Sequence, residues 1–116
     1  MSEEKAHTIL VVEDVDEISS NMAAALEKRG HHVQRVSNAD EAIKVAETSR
    51  PAMILTDREL PTFDKLLERL RGHSKLKNMV VAILDINQAD VGDKRVNVVC
   101  DFQALDDLIQ SSENPT

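Results

Sequence analysis

Aromatic residues, cysteine and basic excess are all scarce in this chain. Its 116 residues include two Phe, no Trp, no Tyr and one Cys. With only Phe63 and Phe102, the chain cannot build a base-stacking platform. A lone Cys100 excludes an internal disulfide and fits a reducing compartment. Acidic residues outnumber basic ones by 21 to 14, giving a net charge of −7, which argues against a nucleic-acid surface and for simple solubility. Long apolar runs are missing too. The longest, residues 79–84, is far too short to span a bilayer, and the acidic start Met1-Ser2-Glu3-Glu4-Lys5 carries no secretory core. The expectation is a cytoplasmic protein that touches neither membrane nor nucleic acid. No internal repeat, low-complexity segment or phosphate-binding glycine loop occurs.

What is present is an alternation of apolar runs with helical patterns over a length typical of one domain, the signature of a parallel α/β sheet. Thr8-Ile9-Leu10-Val11-Val12 reads as a strand buried on both faces. Residues 16–29 read as a helix with Ile18, Met22, Ala25 and Leu26 on one stripe and Gly30 as its stop. Residues 32–36 suit an edge strand. Asn38 with Glu41 resembles a capping box, opening a helix that turns Ala42, Ile43 and Ala46 inward and stops before Pro51. Residues 52–55 form a third strand with Thr56-Asp57 at its end. Pro61 marks a turn, and Leu66, Leu67 and Leu70 define a short helix ending near Gly72. Strands are expected at 79–84 and 96–99, a last helix around Leu105, Leu108 and Ile109, and a polar tail at 111–116. Between the last two strands lie only residues 85–95, fewer than the roughly dozen a parallel crossover needs, so a loop or single turn is expected there.

In open α/β sheets, ligands bind beyond the carboxyl ends of the strands, where strand order reverses. Glu13 and Asp14 follow the first strand and Asp57 ends the third. If those strands are neighbours, three carboxylates converge. Their repulsion is relieved by a hard cation such as Mg²⁺, which takes oxygen ligands, keeps several waters and uses one or two carboxylates. Such an ion would also neutralise an incoming phosphoryl group.

These residues carry a resemblance. Ile9-Leu10-Val11-Val12-Glu13-Asp14 looks like the first strand and acidic pair of the receiver domains of two-component response regulators, and Met53-Ile54-Leu55-Thr56-Asp57 followed by Pro61 looks like their phosphoacceptor strand and loop. The resemblance covers residues 7 to about 110. It implies a CheY-like, flavodoxin-like (βα)5 domain, a doubly wound parallel sheet of five strands in order 2-1-3-4-5, here with the fourth helix shortened or missing. It also implies one domain over residues 1–116, with its core at about 7–110. By the same resemblance Asp57 is the catalytic position, the phosphoacceptor, and takes phosphate from a sensor histidine kinase or phosphotransfer protein. Glu13, Asp14 and Asp57 then hold Mg²⁺ together with the backbone carbonyl of Glu59, and a downstream protein reads the result. A homodimer through strand four, strand five and the last helix is a further expectation, because loss of the crossover helix would expose Val and Ile side chains there.

The second half departs from the family. Leu84 stands where receivers carry Ser or Thr, and Cys100 occupies the position of their Lys. The loop after Asp57 lacks the family's small residues, and Asp85 and Asp101 add negative charge. Two readings therefore stay open: a phospho-accepting receiver, and a pseudo-receiver that serves as a protein-interaction module without phosphorylation. An independent enzyme such as a Mg²⁺ phosphatase is disfavoured, since no general base or nucleophile pair accompanies the acids. The remaining polar residues have plain readings. His7, His31, His32 and His73 are expected at the surface, as are Arg58 and Lys94-Arg95, and Asp106-Asp107 on the outer face of the last helix.

Overall fold

A computed structural model of the chain describes residues 7–57, 59–84, 96–99 and 101–113. The elements run β1 (Thr8–Val12), α1 (Asp16–Lys28), β2 (His32–Val36), α2 (Ala39–Ser49), β3 (Met53–Thr56), α3 (Phe63–Arg71), β4 (Val81–Leu84), β5 (Val96–Val99) and α4 (Phe102–Glu113). The strands form one parallel sheet in the order β2-β1-β3-β4-β5, which is the expected doubly wound, flavodoxin-like arrangement. The crossover segment 85–95, and with it the expected loss of a helix there, lies outside the described residues, as do Arg58 and Cys100.

Period-two alternation along the strands sorts the core onto two faces. Leu10, Val12, Ile54, Val81 and Ile83 pack against Ala42, Ile43 and Ala46 of α2 and Leu66 and Leu70 of α3. Ile9, Val11, Met53, Leu55 and Ala82 pack against Met22 and Leu26 of α1 and Leu105 and Ile109 of α4. Both faces of the central strands are covered, so their sequences are continuous apolar runs.

Local signals act as expected at several ends. Asn38 Oδ1 accepts from the Glu41 N–H at 3.0 Å, and Glu41 reaches back to the Ser37 N–H at 3.0 Å. This is a capping box with its return bond one residue early. Gly30 follows α1 with φ +90°, a value that favours glycine. Arg50, at φ 47°, ends α2 just before Pro51.

Other expectations need correction. The inward stripe of α1 is Ser19, Met22, Ala23 and Leu26. Ile18 sits one step of ~100° off that stripe and is 42% exposed, while Ala25 is only half-buried. The third strand starts and ends one residue later than expected, and the fourth starts at Val81. The last helix continues into residues 111–113, the start of the expected tail. The β4–β5 face does not expose its Val and Ile side chains: Val81, Ile83, Val96 and Val99 are buried and Val98 is half-buried.

His32 is exposed as expected, but His31 and His73 are more engaged than a surface reading allows. His31 is nearly buried, and its Nε2 lies 2.8 Å from Asp106 Oδ1. Asp106 also takes Arg29 Nε at 2.7 Å, so it bridges α4 to the end of α1 rather than decorating an outer face. His73 pairs with Glu47 at 2.8 Å. The cause is tertiary: partners about seventy-five positions apart meet only after the sheet has formed.

Candidate functional site

The two acidic stretches end neighbouring strands. Val12 is in register with Thr56, so Glu13 and Asp57 each lie one residue past a paired position at the carboxyl edge of the sheet. The Thr56 hydroxyl donates to the Val12 carbonyl at 3.0 Å, a buried tie directly beneath the two acids. On the other side, the Glu13 N–H donates to the Val36 carbonyl at 3.1 Å, tying the same corner to β2.

Glu13 is only 3% exposed. Its Oε2 accepts from the Val15 N–H at 3.1 Å, which anchors the carboxylate at the entry to α1. Its Oε1 is buried and has no hydrogen-bond partner among the described residues. Burial pushes the Glu13 carboxyl above its ordinary range, and the nearby charges of Asp57 and Asp14 push it further, against a partial offset from the Val15 N–H. Asp57 is half-buried. Its Oδ1 accepts from the Glu59 N–H at 3.0 Å, and its carbonyl accepts from the Leu60 N–H at 3.0 Å, closing a turn. Asp14 and Glu59 are exposed. A cavity of about 430 Å³ opens beside Glu13 and Asp14, lined also by Asp16, Glu41 and Arg35. Arg35 is held there by Asp16 at 3.0 Å and by the Ser19 hydroxyl at 2.9 Å.

Glu13 and Asp57 are therefore brought close enough to interact, and Asp14 adds to the same field. No three acidic or histidine side chains are gathered tightly enough to hold a metal by themselves among the described residues. The residues nevertheless fit a hard divalent cation. The donors are all oxygen, one buried carboxylate oxygen has no partner, and Mg²⁺ needs only one or two carboxylates beside its waters.

Leu84 ends β4, half-buried and without a side-chain hydrogen-bonding group. Asp101 is exposed and accepts from the Ala104 N–H at 2.9 Å, so it serves the start of α4. Thr62 was missed by sequence reasoning. Its place before a helical stripe suggests a cap for α3, yet its hydroxyl oxygen instead accepts from the Ala39 N–H of α2 at 3.1 Å.

A parallel sheet in this order with an acidic cleft at its carboxyl edge defines a doubly wound, flavodoxin-like α/β domain. Residues 9–106 match the model of the response regulator receiver domain, and the chain belongs to that family. Over 56 residues it is 41% identical to the alkaline phosphatase synthesis transcriptional regulatory protein PhoP of Bacillus subtilis, a match covering 48% of this chain and 23% of that regulator. The chain thus spans under a quarter of that relative. Among solved structures it is similar to the pseudo-receiver domain of the CikA protein, with a TM-score of 0.77, 22% identity and coverage of 96% of this chain and 100% of that one. It is also similar to the receiver domain of the sensor histidine kinase PA1611 from Pseudomonas aeruginosa PAO1, which has a magnesium ion coordinated in its active-site cleft. That likeness has a TM-score of 0.72, 23% identity and coverage of 91% and 96%. These structural likenesses establish the CheY-like fold. No helix among the described residues is long and apolar enough to cross a membrane.

Proposed function

We propose that this receiver domain accepts a phosphoryl group on Asp57 from a sensor histidine kinase or phosphotransfer protein. In this reading Mg²⁺ is held by Glu13, Asp14, Asp57 and the backbone carbonyl of Glu59. The observation that carries the reading is the pairing of Val12 with Thr56, which sets Glu13 and Asp57 at adjacent strand ends. A buried carboxylate oxygen with no partner beside a second carboxylate is costly unless a cation joins them.

Phosphoryl transfer depends mainly on positioning and charge stabilisation. An Asp57 oxygen forms a bond to phosphorus while the bond from phosphorus to the donor histidine nitrogen breaks, and that nitrogen keeps the electron pair. The Glu59 N–H fixes Oδ1 and so orients the second oxygen for attack. Val15 and Thr56 hold the flanking groups in place. Bound Mg²⁺ supplies positive charge to the carboxylates and the transferred oxygens. Val15 and Ile18, 46% and 42% exposed at the start of α1, offer the donor protein an apolar landing beside the cleft.

The test is incubation with Mg²⁺ and acetyl phosphate followed by intact mass. One acid-labile phosphoryl adduct, absent in Asp57→Asn, supports the reading; an unmodified protein under conditions that label an ordinary receiver overturns it.

A second reading is a pseudo-receiver, an interaction module independent of phosphorylation. Leu84 favours it, because an apolar side chain at the end of β4 cannot donate a hydrogen bond to a phosphoryl oxygen. The same mass measurement separates the two. The described part of the β4–β5–α4 face has no exposed apolar patch, so the proposal does not extend to a homodimer through it.

A further inference from the structure

The start of α2 receives contacts from both halves of the acidic site. From β1, the Glu13 N–H holds the Val36 carbonyl, the last residue of β2 before the α2 cap. From β3, the turn beginning at Asp57 closes through the Leu60 N–H, and the Phe63 N–H then bonds the Leu60 carbonyl at 3.0 Å. Leu60 is 3% exposed and shares an apolar cluster with Ala39 and Ala42. Two residues on, Thr62 satisfies the Ala39 N–H, one of the amides that a helix start leaves without an internal partner. Asp40 is then gripped from α3 by Arg69 and by Lys65. Among the described residues, the hydrogen bonds of the 57–62 turn run to itself, to α3 or to α2. Leu84, by contrast, packs into the cluster on the opposite face of the sheet.

We propose that the first turn of α2 is the segment that responds to the state of Asp57. Asp57 Oδ1 holds the Glu59 N–H as a carboxylate oxygen; its removal, or the loss of its negative charge when the second oxygen takes a phosphoryl group, weakens that hold, frees the turn and breaks the Thr62–Ala39 bond. The signal therefore leaves the site toward α2 and α3 rather than through β4. The inference rests on the phosphoacceptor reading for its trigger, not for the coupling itself. Coupling requires that the two states of Asp57 favour different arrangements of the turn.

Backbone amide exchange, read residue by residue by NMR, tests it. Thr62→Val removes the acceptor and calibrates the signal. In Asp57→Ala the Ala39 amide should exchange about tenfold faster than in the parent, approaching its rate in Thr62→Val. The Leu105 amide, which bonds the Asp101 carbonyl at 3.2 Å in α4, should not change. An unaltered Ala39 rate in Asp57→Ala, an unaltered rate in Thr62→Val, or an equal rise at Leu105 would each overturn the proposal. The wild-type protein treated with Mg²⁺ and acetyl phosphate adds a second arm, with intact mass taken on the same sample. An adduct with faster Ala39 exchange supports both ideas. An adduct without it sinks the coupling alone. No adduct sinks the phosphoacceptor reading alone, and the two variants then decide the coupling.

Discussion

The Thr56 hydroxyl donates to the Val12 carbonyl across the β1–β3 pair, buried and one residue short of both Asp57 and Glu13. It acts as a cross-brace that fixes the relative height of the two acids. Thr56→Val keeps the shape and β-branching but removes the bond. We expect a loss of about 1 kcal/mol in chemical denaturation and weaker Mg²⁺ binding. A variant as stable as the parent with unchanged Mg²⁺ affinity would remove the brace from the account.

Glu13 makes stability depend on pH. Its native carboxyl holds a proton more tightly than the ordinary value of 4.5, because burial and then Asp57 and Asp14 disfavour its charge. As pH rises from 4.5 through the raised native value, the unfolded chain has already released the proton that the native state retains. Native stability therefore falls across that window, and the penalty persists above it. Glu13→Gln removes the penalty. Without divalent cation at neutral pH it should melt a few degrees higher than the parent, with a flatter profile above pH 4.5. Thermal melts across pH check this.

Asp106 behaves in the opposite sense. Burial alone would raise its pKa, but the hydrogen bonds and charges of His31 and Arg29 outweigh it and hold the carboxyl below its usual 3.8. Its contribution to stability is thus present above pH 3.8 and lost as pH falls through the lower native value. Asp106→Ala should cost about 1–3 kcal/mol at neutral pH, since it leaves two partners unsatisfied. The difference between variant and parent should shrink in acid, as denaturation curves at neutral and acid pH will show.

Leu84→Thr returns a hydroxyl to the end of β4. Trading a half-buried Leu for Thr should cost about 1 kcal/mol. In exchange, beryllofluoride, a phosphoryl mimic, should shift the β4 amides in the variant far more than in the parent. Equal shifts in both proteins would mean that Leu84 does not block this route.

Much of the fold was legible because its signals are local. The unbroken run Ile9–Val12 could only be a strand covered on both faces, and Asn38 with Glu41 announced the start of α2 within four positions. The placement of Glu13 and Asp57 was also readable, since it depends only on two strand ends and the strand order. The rest depended on partners that no local pattern encodes. Ile18 has the chemistry of a core residue, yet Ser19 takes the inward position. His31 and Asp106 look like surface residues until α4 packs beside α1. Thr62 drew no role from the sequence, and it accepts from the first amide of α2 rather than capping α3, the helix it precedes. The orphaned oxygen of Glu13 became visible only once burial and the Val15 bond were known.

The central claim is that Glu13 and Asp57 act on a single cation. It is tested most directly by Mg²⁺-dependent melting of the parent, Glu13→Gln, Asp57→Asn and the double variant. The parent should gain stability as Mg²⁺ is raised, each single variant should lose most of that gain, and the double variant should lose little more than either. Single variants that keep the full parental response would show that the two carboxylates do not share an ion.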